Sequence, residues 1–422
     1  MRVLITSAPM HGHLFPLVPL AWALRAAGHE VLVACTEHFV PTVTQAGLPA
    51  ISSGPGMDIR ELMRPDSPHG IEDDPYGHGE VFATMASRNL AGTLATVRSW
   101  RPDLVLAERS EYAGPVAARA EGVPYVELHW GVAELVEYRA AAETVLRGDL
   151  HRLGLTRLPR ADLVLDPWPP SLRQPHARTH VGLRAVPYNG VARVPDWLLD
   201  PPARPRIGLT MGTVLPQLTD GGMGGLLTGL VEELATLDAE LVLAIDDEAA
   251  RQLPPLPSAV RYAGRIPLSE LVATCRLLIH HGGQGSALTA LAAGCPQIVL
   301  PKFDDALENA EAIAAAGVGL AVRLDVATPR GVADAAALVL GQSRFAVTAG
   351  AVAGEIAAQP SPAETVRALE RLAGRDTADA SPAGGSGAGG GGDGPRPPPR
   401  APAGARPDPR PVRPRHRYAH LS

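Results

Sequence analysis

Two rhythms of apolar residues alternate along the chain. Short, almost uninterrupted apolar runs at Arg2–Thr6, Glu30–Ala34, Asp103–Ala107, Val123–Val126 and Asp162–Leu165 read as strands. Phe15–Ala27 carries apolar residues at helical spacing and stops at Gly28, and Ala113–Glu121 predicts a further helix. The alternation starts afresh at Arg206–Met211 and continues through strands at Leu241–Ile245, Val260–Tyr262, the run from Leu277, and Gln297–Leu300, with helical runs between them. Repeated β-loop-α-β units predict parallel sheets whose ligands sit at the carboxyl ends of the strands. The proline-dense stretch 186–206, without apolar period, reads as the linker between two such halves.

Two other stretches break the rhythm. Ser52–Asn89 is rich in glycine, proline and acid, and predicts a long loop before a helix from Gly79. After Ala373 the chain turns to alanine, glycine, proline and arginine, so 375–422 is expected to be disordered.

Composition narrows the class. The 422 residues exceed one typical core and suggest two domains with an extension. Hydrophobic residues make up 45% but aromatics only 4%, which predicts close-packed, small-residue cores. A formal charge of −6, with no basic stripe in the folded part, disfavours nucleic acid or an anionic membrane as partner. Cys35, Cys275 and Cys295 lack metal-ligand spacing and read as free thiols in a reducing cytosol. No run reaches about eighteen uncharged apolar residues, so a soluble cytoplasmic protein is expected.

Candidate chemistry gathers in two loops. Leu277–Asp305 passes from a strand through His280-His281-Gly282-Gly283-Gln284-Gly285-Ser286 into an alanine- and leucine-rich helix, which Gly294-Cys295-Pro296 stops. A helix N-terminus offers unpaired N–H groups and partial positive charge to a phosphate, glycines permit close approach, and His281 and Ser286 add side-chain donors. The plainer reading is a tight turn beside two histidines. Near the N-terminus, the loop after the first strand presents His11-Gly12-His13-Leu14-Phe15-Pro16 and lacks the Gly-x-Gly-x-x-Gly of dinucleotide enzymes. Histidine at the open edge of a sheet suits a general base, or caps the following helix. Gly212-Thr213, after the strand at Arg206–Met211, offers another phosphate donor or a simple cap.

These motifs, with Pro301, Phe303, Asp305 and Asn309, resemble the nucleotide-sugar signature of inverting GT-B-fold glycosyltransferases, the family of plant secondary-metabolite and bacterial antibiotic glycosyltransferases. His11–Val31 resembles that family's N-terminal signature, and Pro187–Gly190 with Pro195–Leu198 resembles the inter-domain segment of its antibiotic branch. The resemblance implies an α/β GT-B fold: an acceptor domain at 1–186, a linker at 187–204, a nucleotide-sugar domain at 205–374, and a tail at 375–422. It implies that Ser52–Asn89 and His129–Leu150 shape the acceptor pocket, and that a final helix, Pro362–Leu372, packs back across the cleft.

For the site, the resemblance implies His13 as base and Glu108, where the family usually has aspartate, as its acidic partner. Glu111 is the fallback, and Arg109 is a rival partner for Glu108. Donor contacts fall on Gly212, Thr213, Ile266, His281, Gly282, Gly283, Gly285, Ser286 and Asp305, while Arg265 is expected to stay solvated. Glucose-using members commonly pair aspartate with glutamine; here Ala306 follows Asp305, which implies a deoxysugar on a thymidine-diphosphate carrier. No metal or cofactor is implied, and a homodimer stays open. The rival functions are an epimerase or hydrolase on the same fold and a non-catalytic nucleotide-sugar-binding partner of a biosynthetic enzyme.

Overall fold

In the computed structural model, which describes residues 1–56, 74–212, 222–302 and 305–379, every run read as a strand forms one, shifted by no more than a few residues at its ends. Seven strands build the first sheet: β1 (Arg2–Thr6), β2 (Glu30–Thr36), β3 (Ala50–Gly54), β4 (Leu104–Glu108), β5 (Tyr125–Leu128), β6 (Leu163–Asp166) and β7 (Val181–Gly182), in the order β3-β2-β1-β4-β5-β6-β7. Six build the second: β8 (Arg206–Thr210), β9 (Glu240–Ala244), β10 (Val260–Gly264), β11 (Leu277–His280), β12 (Gln297–Val299) and β13 (Gly319–Ala321), in the order β10-β9-β8-β11-β12-β13. All pairings are parallel.

Both sheets are covered on both faces, which explains the nearly continuous apolar runs. Val3, Ile5, Leu104 and Leu106 point into one core of the first half, and Leu4, Val105 and Ala107 into the other. In both sheets the strand order reverses at one place, between β1 and β4 and between β8 and β11. Such switch points open a crevice at the carboxyl ends of the strands. The last helix, Pro362–Asp379, returns to the first half as expected: Val366 and Leu369 enter its core, and Glu370 lies 3.0 Å from His29. That helix runs past the expected end at Leu372, and 380–422, the rest of the tail read as disordered, lies outside the described residues.

Ser52–Asn89 departs in part from its reading as a loop before a helix from Gly79: the helix is there, but begins earlier, at Pro75. The stretch starts inside β3 and ends inside this helix, Pro75–Trp100. Pro75, Gly77, Gly79 and Gly92 make this segment a poor helix on propensity. Packing accounts for two of the glycines: a Cβ on Gly79 would lie 2.6 Å from the Tyr138 Cα, and one on Gly92 would fall on the carbonyl of Ser53. Asp74 then caps the helix by accepting from Gly77 N at 3.1 Å. Residues 57–73, including most of the acidic run expected in the loop, lie outside the described residues.

The linker is anchored to both halves. Tyr188 stacks edge-on against Phe15 and Trp22, while Leu198 is buried in the second half beside Trp197. Asn189 Oδ1 accepts from Ser269 N at 2.8 Å. No single helix among the described residues is long and apolar enough to cross a membrane.

Candidate active site

Both switch points open on one cavity of about 1050 Å³, lined from the first half by His13, Phe82 and Trp130 and from the second by Gly212, His281 and Ser286. At the first, the chain leaves β1 and turns at once into a short helix, His11–Leu14, while neighbouring β4 ends on Glu108. His13 Nδ1 thereby comes to 3.0 Å from Glu108 Oε1. The longer side chain of glutamate, in place of aspartate, therefore reaches the imidazole.

Glu108 is 1% exposed and accepts from Ala8 N at 3.2 Å, Ser110 N at 2.8 Å and Trp130 Nε1 at 2.6 Å. Burial pushes its carboxyl up, but the charge of His13 and these hydrogen bonds outweigh that and hold it below the usual carboxylate range. An ionised carboxylate is thus fixed behind the ring, with Phe82 and Trp130 packed 5.2 and 5.0 Å from it.

The two rival partners go elsewhere. Arg109 donates to the carbonyls of Trp130, Ala133 and Glu134 at 3.0, 2.6 and 2.5 Å and stacks over Trp130, rather than pairing with Glu108. Glu111 caps the helix Ala113–Ala120 through Ala113 N and Gly114 N at 2.9 and 2.8 Å. Burial pushes its carboxyl up to about 7, so it does not offer the fixed charge that Glu108 does.

At the second switch point β11 ends at His280, directly beside Thr210 of β8, and each strand runs into a glycine turn. His280 is buried, with Nδ1 accepting from Gly282 N at 3.1 Å and Nε2 2.7 Å from Gln297 Oε1. It shapes the turn and does not face a ligand. His281 is the one that lines the cavity. Burial lowers its pKa to about 4, so the ring is neutral near pH 7.

The glycines serve this ring. Gly212, at φ +69, lies so close that any Cβ would collide with the imidazole, and a Cβ on Gly283 would sit 2.5 Å from Nε2. Gly282, at φ +97, packs under Ala306. A Cβ on Gly285 would meet no protein atom within 4 Å, so the surrounding protein makes no demand for glycine there. Ile266 and Ser286 also line the cavity, as does Asp305, whose Oδ2 accepts from Asn309 Nδ2 at 2.9 Å. Arg265 is exposed at the rim and its charge helps lower the pKa of His11, after burial. Thr213 lies outside the described residues, as do Phe303 and Asp304.

Three further residues line this cavity: Trp130 and Phe82, within the two stretches expected to shape the acceptor pocket, and Gln284. Trp130 had a usable signal, an aromatic residue just beyond the end of a strand adjacent to the switch point. Beside it, His129, Asp166 and His180 place ligand atoms within 4.8 Å of one another. Asp166 accepts from Trp168 N at 2.9 Å with His180 at 3.1 Å and Arg173 at 3.6 Å, and Arg109 lies 3.3 Å from His129 Nε2, while His129 Nδ1 has no hydrogen-bond partner. Two guanidinium groups in that shell make it an ion-pair network built against a cation.

Two parallel-sheet Rossmann-like domains sharing one cavity at their switch points define the GT-B architecture. Residues 22–212 and 228–372 match the N-terminal and C-terminal domains described as Erythromycin biosynthesis protein CIII-like. The chain is 43% identical over 371 residues to L-demethylnoviosyl transferase of Streptomyces niveus, covering 87% of this chain and 97% of that protein. Among solved structures it resembles glycosyltransferase SsfS6 of Streptomyces sp. SF2575 complexed with thymidine diphosphate, at TM-score 0.77 and 35% identity over 88% of this chain and 99% of that one. It also resembles spinosyn rhamnosyltransferase SpnG complexed with spinosyn aglycone, at TM-score 0.78 and 33% identity over 88% of this chain and 100% of that one. The chain belongs to the EryCIII-like family of glycosyltransferases.

Proposed function

We propose that this glycosyltransferase moves a deoxysugar from a thymidine-diphosphate carrier to a hydroxyl of a natural-product aglycone, with inversion at the anomeric carbon. The observation that carries this is the His13–Glu108 pair facing, across one cavity, the glycine turns that frame His281. His13 Nδ1 is engaged by the carboxylate, which leaves Nε2 for the acceptor hydroxyl. As that oxygen attacks the anomeric carbon, its proton passes to Nε2 and the carbon–oxygen bond to the diphosphate breaks with its electron pair. Glu108 stabilises the imidazolium that results. A pure nucleotide-sugar binder would gain nothing from this pair.

The leaving diphosphate would be met by His281, Ser286, Gly212, Thr213 and the N–H groups of Gly283 and Gly285, without a metal, while Gly282, whose N–H is held by His280 Nδ1, shapes the turn. Ile266 would hold the base through its backbone, and Asp305 a sugar hydroxyl. Ala306 presents a methyl where an amide would bond a further hydroxyl, which favours a deoxygenated sugar. The names of two relatives, L-demethylnoviosyl transferase and 10-deoxymethynolide desosaminyltransferase, and the thymidine diphosphate bound in the SsfS6 structure support this reading. We divide the chain into an acceptor domain at 1–186, a linker at 187–204, a donor domain at 205–374 and a tail at 375–422. The free cysteines, with burial raising Cys35 and Cys275 to about 12, support a reducing cytoplasm.

His281→Ala tests the donor half directly. Loss of one hydrogen bond to a charged group should weaken thymidine diphosphate by roughly 1.5–3 kcal/mol, about tenfold to a hundredfold in Kd. Equal affinity of variant and parent in a calorimetric titration would remove His281 from the donor site.

A further inference from the structure

Two amides of the second half hold one loop of the first. Asn309 Oδ1 accepts from Val132 N at 3.0 Å, and Gln284 Oε1 accepts from Gly131 N at 2.7 Å. The loop they hold carries Trp130, the residue that donates to Glu108 and packs on His13. Asn309 is satisfied at its other end too, with Nδ2 donating to Gly282 O at 3.0 Å and Asp305 Oδ2 at 2.9 Å. Its task is structural.

Gln284 differs. Its Oε1 takes a second bond, from Trp168 Nε1 at 3.1 Å, so both lone pairs are used. Because both partners are N–H donors, the amide can face only one way, with Nε2 turned from them. That Nε2 is buried without a hydrogen-bond partner, in a side chain 5% exposed that lines the cavity. An unmet buried donor costs about 1–3 kcal/mol, a burden with no structural purpose here. A second unpartnered buried nitrogen, His281 Nδ1, belongs to the same turn, at the start of the helix Gln284–Ala292. An unpartnered amide donor at a helix N-terminus calls for an oxygen-rich anion.

We propose that Gln284 is a positioning residue that joins donor to base: Nε2 takes an oxygen of the nucleotide-sugar's diphosphate while Oε1 fixes Gly131 and, one residue away, Trp130 against Glu108. Donor binding therefore secures the loop that orients His13. This rests on the nucleotide-sugar reading above.

Two substitutions separate the two ends of the amide. Gln284→Glu keeps an acceptor for Gly131 and Trp168 but replaces Nε2 by an oxygen that repels the diphosphate. At pH 8 it should weaken thymidine diphosphate about thirtyfold or more. Gln284→Leu removes both ends, and should weaken the diphosphate about tenfold and also lower kcat about tenfold or more. Parent-like affinity in Gln284→Glu would overturn the contact to the diphosphate. Undiminished kcat in Gln284→Leu would overturn the link to the base. If the parent itself failed to bind thymidine diphosphate, the nucleotide-sugar reading would fall, and this inference with it.

Discussion

His13→Ala will bind thymidine diphosphate as the parent does and transfer sugar about 10²–10⁴-fold more slowly, the usual contribution of a general base. The two halves of this expectation come from different places in the fold. His13 stands at the carboxyl end of β1 in the first sheet, whereas the donor turns follow β8 and β11 in the second. Removing the imidazole leaves the carboxylate of Glu108 with Ala8 N, Ser110 N and Trp130 Nε1, so the site keeps its form. Steady-state turnover and a calorimetric titration on the same preparation check the claim. Turnover within a few-fold of the parent would show that another group removes the acceptor proton.

Glu108→Gln should be costly both to activity and to stability. Three N–H donors converge on the two carboxylate oxygens, Ala8 N on Oε1 and Ser110 N and Trp130 Nε1 on Oε2, and His13 Nδ1 lies 3.0 Å from Oε1. Glutamine offers one acceptor oxygen, so whichever way its amide is turned, an NH₂ group faces buried donors. That collision should cost about 1–3 kcal/mol of stability. Loss of the charge that holds the ring and stabilises the imidazolium should lower kcat about 10²-fold or more. Thermal melting and kcat measured together test both parts, with Glu108→Asp as the charge-conserving control. Near-normal kcat in Glu108→Gln would show that His13 needs no carboxylate behind it.

Much of this fold could be read from the sequence because of where its strands lie. β1, β4, β8 and β11 are covered on both faces, so burial makes them apolar at nearly every position. β3 is an edge strand of Ala-Ile-Ser-Ser-Gly, whose polar residues match its half-open position and hide it. The helix Pro75–Trp100 is legible from Gly79 on but not in its first turn, and two of its glycines are notches for Tyr138 and Ser53, a packing need so distant in sequence that it leaves no local trace.

The site divides along the same line. His13 and the His281 turn lie in local motifs, each within a few residues of a strand end. Glu108 needed the resemblance, because one acidic residue among Glu108, Arg109 and Glu111 carries no mark of which faces the histidine. The structure distinguishes them by direction: Glu108 looks into the cavity wall behind His13, Arg109 toward the 130–134 carbonyls, and Glu111 toward its own helix. Gln284 lies inside the motif with no local mark of its own. Its meaning depends on Gly131 and Trp168, more than a hundred residues away in sequence, and on an amide that is only half satisfied.

The measurement closest to the central claim is calorimetric titration of the parent protein with thymidine diphosphate and with uridine diphosphate in chelator-treated buffer. A site assembled from His281, Ser286 and the glycine turns should bind the diphosphate without added divalent cation, and the proposed thymidine-diphosphate carrier requires thymidine diphosphate to bind more tightly than uridine diphosphate. Binding of neither nucleotide, or binding that appears only when a divalent cation is restored, would contradict it.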